Sequence, residues 1–339
     1  MSLSRPFDTA LGRREPVLFA LESSRPFGES VADHLGIELA AHEEREFEDG
    51  EHKSRPLVSV RGRDVYVVAA LHGQTGESVN DKLLRLFFFI GALKDARAGR
   101  VTAVVPYLSY ARKDRKTKSR DPVTTRYVAS LFEAIGTDCV VTVDVHNLAA
   151  FQNAFRCATE HLEAADLFAE HVASNLPSPD LIVVSPDPGG VKRAEHFRQI
   201  LSDKLDAEIP FASLEKQRSE GVVRGQTLMG DVHGRTAIIL DDLISTGTTL
   251  ARAATTCRTH GAETVWAAAT HGLFTGDAAE VLSEPALDKI LVTNTVPARM
   301  LSPSHLHAKV VVLDVSSLIA ATIHRLHTDE SIVDLLTPA

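Results

Sequence analysis

The sequence predicts an α/β protein of two domains, each a mainly parallel sheet flanked by helices. Three observations predict it. Short apolar runs of strand length alternate with amphipathic runs of helix length almost throughout. Alternation of that kind builds βαβ units, whose parallel strands need crossover helices on the sheet faces. The series also restarts midway, and 339 residues is enough chain for two domains of ordinary size.

Taken in order, Val17–Leu21 reads as a strand and Pro26–Leu35 as a helix stopped by Gly36. Val65–Ala70 is a strand after the turn-forming Arg61-Gly62-Arg63-Asp64. Ser78–Ala96 carries apolar residues at helical spacing, with Gly99 beyond it. Val101–Pro106 and Cys139–Val143 are β-branched runs of buried-strand type around a helix from about Thr124 to Ile135. The second series reads Leu162–Leu176 helix, Leu181–Ser185 strand, Gly190–Leu201 helix, Thr236–Leu240 strand, then a helix to about His260. Thr264–Thr270, Lys289–Thr293 and Val310–Leu313 follow as strands, and Leu318–Leu326 and Ile332–Leu336 as helices. The series meet near Phe155–His161, so the domains are expected at 1–157 and 158–327, with a C-terminal helix over 328–339 returning to the first.

Composition is that of a globular chain, 44% hydrophobic and 24% charged, with net charge −9. An acidic balance argues against a broad nucleic-acid or anionic-membrane surface. Cys139, Cys157 and Cys257 are far apart, odd in number and without metal-ligand spacing, as expected of thiols in a reducing compartment. The N-terminal stretch Met1–Asp8 has no apolar core of signal-peptide length, and Leu83–Leu93 is broken by Arg85. A cytoplasmic protein is the expectation.

The chemistry concentrates where strands end, the position at which such sheets bind ligands. The stretch Ile238-Ile239-Leu240 runs into Asp241-Asp242, then Leu243-Ile244-Ser245-Thr246-Gly247-Thr248-Thr249, and a helix begins at Leu250. Small hydroxyl residues and a glycine leave backbone N–H groups open to a phosphate ester at a helix N-terminus. The two acids suit ribose hydroxyls or hydrated Mg²⁺. A solvated strand-to-helix turn is the bland alternative, since Asp, Ser, Thr and Gly favour turns. Asp144-Val145-His146-Asn147 and Pro186-Asp187-Pro188-Gly189-Gly190-Val191-Lys192-Arg193 follow two other strands. There, His146 and Asp187 are candidates to share one divalent cation that also bridges nucleotide phosphates.

Three further clusters stand out. From Arg112 to Arg120 six of nine residues are cationic, including Arg112 and Lys113 beside Asp114. So concentrated a basic loop suggests a polyanion such as ATP or phosphate. Phe47-Glu48-Asp49-Gly50-Glu51 sets an aromatic ring beside acids at alternate positions, able to stack on a base and accept from its amine; an exposed turn is the alternative. Lys216 and Arg218, at alternate positions in Leu214–Gly221, can clamp a transferring phosphoryl group, and a solvated loop is again the alternative.

With these clusters in this order the chain resembles the ribose-phosphate pyrophosphokinase (phosphoribosyl pyrophosphate synthetase) family from about Val17 to Leu336. Thr270-His271-Gly272-Leu273-Phe274, Val292–Pro297 and Val312–Ser316 add to the likeness. The resemblance implies two phosphoribosyltransferase-like domains. It implies Mg²⁺-dependent transfer of the diphosphoryl group of ATP to the C1 hydroxyl of ribose 5-phosphate, giving 5-phosphoribosyl 1-pyrophosphate (PRPP) and AMP. By matching position, Ser245, Thr246, Gly247, Thr248 and Thr249 would hold the 5-phosphate, and Asp241 and Asp242 the ribose hydroxyls. His146 and Asp187 would hold Mg²⁺. Phe47, Asp49 and Glu51 would bind adenine from a neighbouring subunit. Arg112 would stack on the base, with Lys113, Asp114 and His146 completing the ATP site, and Lys216 and Arg218 would be catalytic. It further implies a dimer-based homo-oligomer, often a hexamer. The alternatives are a PRPP-consuming phosphoribosyltransferase and a catalytically silent homologue. Lys113, Thr117, the loop Ser-Thr-Gly-Thr-Thr and the short Lys-Gln-Arg depart from the commoner pattern and resemble divergent branches, a difference that bears on phosphate activation and ADP inhibition.

Overall fold

In the computed structural model the described residues are 15–74, 76–176, 180–219, 222–297 and 305–336. The first sheet starts with β1 (Val17–Ala20), whose four residues are all buried. It leads to α1 (Arg25–Leu35), which ends at Gly36 with φ 67°, a left-handed turn that glycine makes without strain. A polar hairpin follows, β2 (His42–Glu46) and β3 (His52–Pro56), paired antiparallel. Then come β4 (Asp64–Val68), α2 (Val79–Asp95), β5 (Arg100–Val104), α3 (Thr124–Ala134), β6 (Cys139–Val143), α4 (Leu148–Ala154) and β7 (Ala158–Leu162).

The strands β1, β4, β5, β6 and β7 pair in that order, all parallel. Aromatic residues of α2 and α3 cover one face: Phe89 meets Phe19 edge-on at 5.1 Å and Phe87 meets Phe132 at 4.8 Å. Each such ring stabilises by roughly 1.5–3 kcal/mol when buried. The N-terminus of α2 closes on itself. Asp81 N donates to Ser78 Oγ at 3.2 Å while Ser78 N donates to Asp81 Oδ2 at 2.7 Å, a reciprocal capping box.

The second series is α5 (Ala165–Asn175), β8 (Leu181–Ser185), α6 (Val191–Leu205), β9 (Phe211–Ser219), β10 (Val222–Met229), β11 (Thr236–Ile244), α7 (Thr248–Thr259), β12 (Thr264–Gly272), α8 (Ala278–Val281), β13 (Lys289–Thr293) and β14 (Val310–Leu313). Its sheet runs β10-β9-β8-β11-β12-β13-β14. Only the β9–β10 pair is antiparallel among these described neighbours. Both sheets are thus mainly parallel and helix-covered, as the alternation required.

The chain then returns. It divides into two compact units, residues up to Glu163 together with those from Val315, and Ala164–Asp314. α9 (Ser316–Thr328), which the sequence placed with the second series, packs against α1 in the first unit. Asp64 anchors it. The Asp64 carboxylate accepts from Tyr66 Oη (3.0 Å) and Arg100 Nε (2.7 Å) and pairs with His327 Nδ1 (2.8 Å), while Arg100 Nη2 donates to Leu326 O (2.7 Å). A short α10 (Val333–Leu336) follows.

Several elements differ from expectation. Ala158–Leu162, expected at the head of the second domain, is the edge strand β7 of the first sheet, and the helix expected from Leu162 begins at Ala165. The strand expected to stop at Leu240 continues through both acids to Ile244. The expected loop at Leu214–Gly221 is strand through Ser219. No helix among the described residues is long and apolar enough to cross a membrane.

Candidate active site

In the second unit, β11 is central, with β8 on one side and β12 on the other, so Ala237–Leu240 are buried and must be apolar. The β8 pairing covers Thr236–Ile239 and stops there. Asp241 is the second residue past it, still paired with Ala269 of β12. Polar side chains become tolerable where one neighbour strand ends, and this is where the site starts.

The loop after Ile244 is shaped by its own hydroxyls and by the chain beyond β12. Ser245 Oγ and Thr275 Oγ1 share a hydrogen bond of 2.9 Å, Thr275 N donates to Ser245 O at 3.0 Å, and Thr246 Oγ1 lies 3.0 Å from Thr248 Oγ1. Gly247 has φ 77°, and a Cβ there would lie 2.6 Å from Leu282 Cδ2. Both conformation and space therefore demand glycine. Gly247 is also the residue from which α7 starts, and among the described residues no side chain caps that end. The first-turn N–H groups keep their partial positive charge, an arrangement suited to an anion.

Asp241 and Asp242 stand just before this loop. Asp242 is 3% exposed, and its N–H donates to Asp241 Oδ1 at 2.8 Å. Burial first, and then the adjoining Asp242 carboxyl, push the Asp241 carboxyl up to about 7. Arg193 of α6 approaches both: its Nη1 lies 3.8 Å from Asp241 Oδ1 and 3.6 Å from Asp242 Oδ1. In the sequence Arg193 closes the cluster that follows Ser185, but nothing there gives it a role. The available signal was its place one helical turn after Gly189-Gly190 at a strand end.

At the end of β8, Asp187 shapes its own turn. Its Oδ1 accepts from Gly189 N (2.9 Å) and Gly190 N (3.1 Å), and Ser185 Oγ donates to Asp187 O (2.8 Å). One carboxylate oxygen thus belongs to the turn, which leaves Oδ2 for an incoming ligand. Among the described residues no three His, Cys, Asp or Glu side chains converge on a metal-sized site. The open Asp187 Oδ2 is the kind of single carboxylate donor that would suit Mg²⁺, which keeps several waters and takes one or two carboxylates plus substrate phosphates. Lys216 and Arg218 lie on β9, in register with Gln226 and Val223 of β10; their side chains lie outside the described residues. Pairing with β8 covers only Phe211–Ser213, and from Leu214 the described β9 and β10 residues pair with each other.

In the first unit, Phe47–Glu51 forms the tip of the β2–β3 hairpin. Phe47 N donates to Glu51 O (2.7 Å), Gly50 N to Phe47 O (3.0 Å), and Glu51 N to Asp49 Oδ1 (3.1 Å). Phe47 is 39% exposed under the Arg45 guanidinium, 5.1 Å from the ring centre. The residues after β5 and β6 are joined by a bond the sequence did not reveal: Asn147 Nδ2 donates to Asp114 Oδ2 at 2.5 Å. Asn147 Oδ1 caps α4 through Ala150 N (3.1 Å), with His146 exposed beside it. Arg112 is exposed, whereas Lys113 turns inward. Its Nζ donates to Asp121 Oδ2 (2.6 Å) and Thr117 Oγ1 (3.1 Å). Thr117 N, Thr117 Oγ1 and Lys118 N also donate to Asp121, and Lys113 foremost holds the Asp121 carboxyl below the usual range. Much of the basic cluster is therefore a loop tied around one acid. His146 belongs to the first unit and Asp187 to the second.

Known proteins resemble this chain over nearly its full length. Residues 16–136 match the model of the N-terminal domain of ribose phosphate pyrophosphokinase, and 219–337 that of a phosphoribosyl synthetase-associated domain. A ribose-phosphate pyrophosphokinase of Caldanaerobacter subterraneus subsp. tengcongensis is 38% identical over 321 residues, covering 94% of this chain and 97% of that protein. One from Nostoc sp. is 37% identical, covering 93% and 92%. The crystal structure of phosphoribosylpyrophosphate synthetase from Mycobacterium smegmatis superposes with a TM-score of 0.83 at 34% identity, covering 93% of this chain and all of that one.

Proposed function

The chain belongs to the ribose-phosphate pyrophosphokinase family and makes PRPP and AMP from ATP and ribose 5-phosphate, and we propose that the residues described above divide that reaction as follows. Ser245–Thr249 hold the 5-phosphate against the uncapped N-terminus of α7. Asp241 and Asp242 accept from ribose hydroxyls. Phe47, Asp49 and Glu51 bind adenine from a neighbouring subunit, a role that suits an exposed ring at a hairpin tip. Arg112 stacks on the base, and Asp114, His146 and Lys113 complete the ATP site, Lys113 by shaping the loop through Asp121.

The C1 hydroxyl oxygen attacks the β-phosphorus of ATP directly and AMP departs, so no side chain serves as a nucleophile. The protein's share is positioning and charge neutralisation. Lys216 and Arg218 supply cations where negative charge builds in the transition state. Asp187, with His146, would hold Mg²⁺, which when bound neutralises phosphate charge. Action in the cytoplasm as a dimer-based homo-oligomer belongs to the same proposal.

The single observation that carries the assignment is the phosphate cradle. Two acids, a hydroxyl loop and a glycine that nothing larger can replace lead into a helix that leaves its first N–H groups uncapped. The test incubates the protein with ATP, Mg²⁺ and ribose 5-phosphate and measures AMP and PRPP. AMP release independent of ribose 5-phosphate, or its absence, counts against the proposal. In the same assay Lys216→Ala is expected to lower kcat by about 100-fold or more with little change in KM for ATP. An equal loss in both moves Lys216 to ground-state binding.

A further inference from the structure

The hairpin that carries Phe47, Asp49 and Glu51 stands apart from the rest of its unit. Among the described strands β2 and β3 pair only with each other, and no residue of either belongs to the buried apolar core of the first unit. A two-stranded hairpin is marginal by itself in water. Specific contacts must therefore fix its tip, and α2, which packs against β3, supplies them.

The last cross-strand pair before the tip is Glu46 with His52, and α2 holds both members. Arg85 Nη2 donates to Glu46 Oε2 at 2.8 Å, and the Phe88 ring stacks on the His52 imidazole at 5.2 Å and 23°. Residues 85 and 88 are about one helical turn apart, so they share a face of α2. Arg85 is also the only charge between Lys82 and Lys94 in an otherwise apolar stretch. Burial first, and then the Arg85 cation, hold the His52 imidazole below its ordinary range, so near neutral pH it meets Phe88 as a neutral ring. Phe47 follows Glu46 directly, and Glu51 directly precedes His52.

An exposed ion pair contributes little by itself, and Glu46 is mostly exposed. The helix side changes that balance. The Arg85 side chain is only 16% exposed, its Nε lies 3.2 Å from Glu77 Oε1, and Gln74 Nε2 donates to Glu77 Oε2 at 3.2 Å. The guanidinium is thus held before it meets Glu46, and little side-chain entropy remains to be lost. Phe88 is 53% exposed, so the core does not require its ring.

We propose that Arg85 and Phe88 are positioning residues for ATP: together they set the direction of the hairpin tip, and through it the fit of Phe47, Asp49 and Glu51 to adenine. The inference rests on the assignment of those three residues to adenine. Arg85 and Phe88 act through Glu46 and His52 rather than by touching the nucleotide. A misdirected tip weakens the stack on the base. It also displaces the acceptors that read the exocyclic amine of adenine, where guanine carries a carbonyl oxygen. The consequence falls on nucleotide affinity and base preference, not on the sugar site.

The experiment measures steady-state kinetics of the full-length enzyme with Mg²⁺, ribose 5-phosphate and either ATP or GTP, with light scattering to follow its assembly. The wild-type enzyme is expected to favour ATP over GTP by about tenfold or more in kcat/KM. Arg85→Gln and Phe88→Ala are each expected to raise KM for ATP about fivefold and to shrink that preference about threefold, with KM for ribose 5-phosphate moving less than about twofold. Because Arg85 acts through Glu46, Arg85→Gln combined with Glu46→Ala should be no worse than the more severe single variant. Arg85→Met and Phe88→Leu serve where the first replacements do not fold. An unchanged KM for ATP in the α2 variants overturns the inference, as do equal losses for ATP and sugar, or effects that multiply in the double variant. Loss of ATP affinity that appears only together with loss of assembly overturns it too. Phe47→Ala separates the two levels. If it raises KM for ATP and collapses the base preference while the α2 variants do not, the tip stays assigned to adenine and α2 has no such role. If Phe47→Ala moves neither, the adenine assignment fails and the inference goes with it.

Discussion

The N-termini of α2 and α7 occupy equivalent positions, each at the start of a helix that follows a parallel strand, and they treat their backbone donors in opposite ways. At α2, Ser78 and Asp81 satisfy each other's N–H groups, so the helix end is complete without a ligand. At α7, Gly247 contributes no side chain, and the hydroxyls beside it are engaged with one another or with Thr275. The contrast separates a helix end that serves the fold from one that serves a ligand. A cap worth about 1 kcal/mol is absent at α7, which leaves its first N–H groups for the phosphate we propose there.

The contrast extends to carboxylates. Asp121 in the first unit is surrounded by donors and its carboxyl is held low, whereas Asp241 in the second is half-buried beside another acid and its carboxyl is pushed up. One acid ties a loop; the other shares its site with a second carboxyl, where we propose that a substrate hydroxyl binds.

The most severe way to break the comparison is Gly247→Ala. With φ 77° and Leu282 2.6 Å from the new methyl, the loop must shift. We expect kcat/KM for ribose 5-phosphate to fall about 100-fold or more, equivalent to about 2.7 kcal/mol of transition-state stabilisation. A loss under fivefold in steady-state kinetics would mean the cradle tolerates a side chain.

Next in size is a pH effect on stability. With its carboxyl raised to about 7, folded Asp241 holds a proton that the unfolded chain releases near pH 4. Its contribution is fully present below about pH 4 and is lost as pH rises through about 7. Asp241→Asn removes that loss, so its Tm relative to wild type should climb between pH 5 and pH 8. Asp121 has the opposite sign: its contribution is present above the ordinary carboxylate pKa and is lost as pH falls. A Tm difference for Asp241→Asn that stays flat with pH would remove the contrast.

The smallest expected effect is Ser78→Ala. It should cost about 1 kcal/mol in denaturant unfolding and leave ribose 5-phosphate kinetics within about twofold. A kinetic effect larger than the stability effect would show that α2 also serves the site.

The elements legible in sequence were those buried on both sides. β6 and β8, five buried residues each, announce themselves as apolar runs. The β2–β3 hairpin has almost no apolar side chain, His-Glu-Glu-Arg-Glu against His-Lys-Ser-Arg-Pro, so no hydrophobic period exists to be read. β7 was hidden for the same reason, with Glu160 and His161 in its middle. The hairpin of β9 and β10 lies mostly beyond the sheet edge, where core burial no longer dictates residue type. In the site, the loop and both acids were visible because their residue types are unusual at a strand end. The role of Arg193 was not, because a single arginine at the end of a turn-and-helix cluster is ordinary until the acids it approaches are known. Lys113 looked like one more cation in a basic run, and only its bond to Asp121 separates it from Arg112.

The Asp64–His327 pair closes a long circuit in the first unit, joining residues 263 positions apart. Loop-closure entropy grows only with the logarithm of length, so the tether costs little more than a much shorter one at equilibrium. Its consequence is for timing. During synthesis, every strand of the first sheet leaves the ribosome before α9 exists, and the entire second unit is made in between. The first half of the gene product therefore waits for the last to finish its own fold, and a chain interrupted before Val315 lacks a helix of its N-terminal unit.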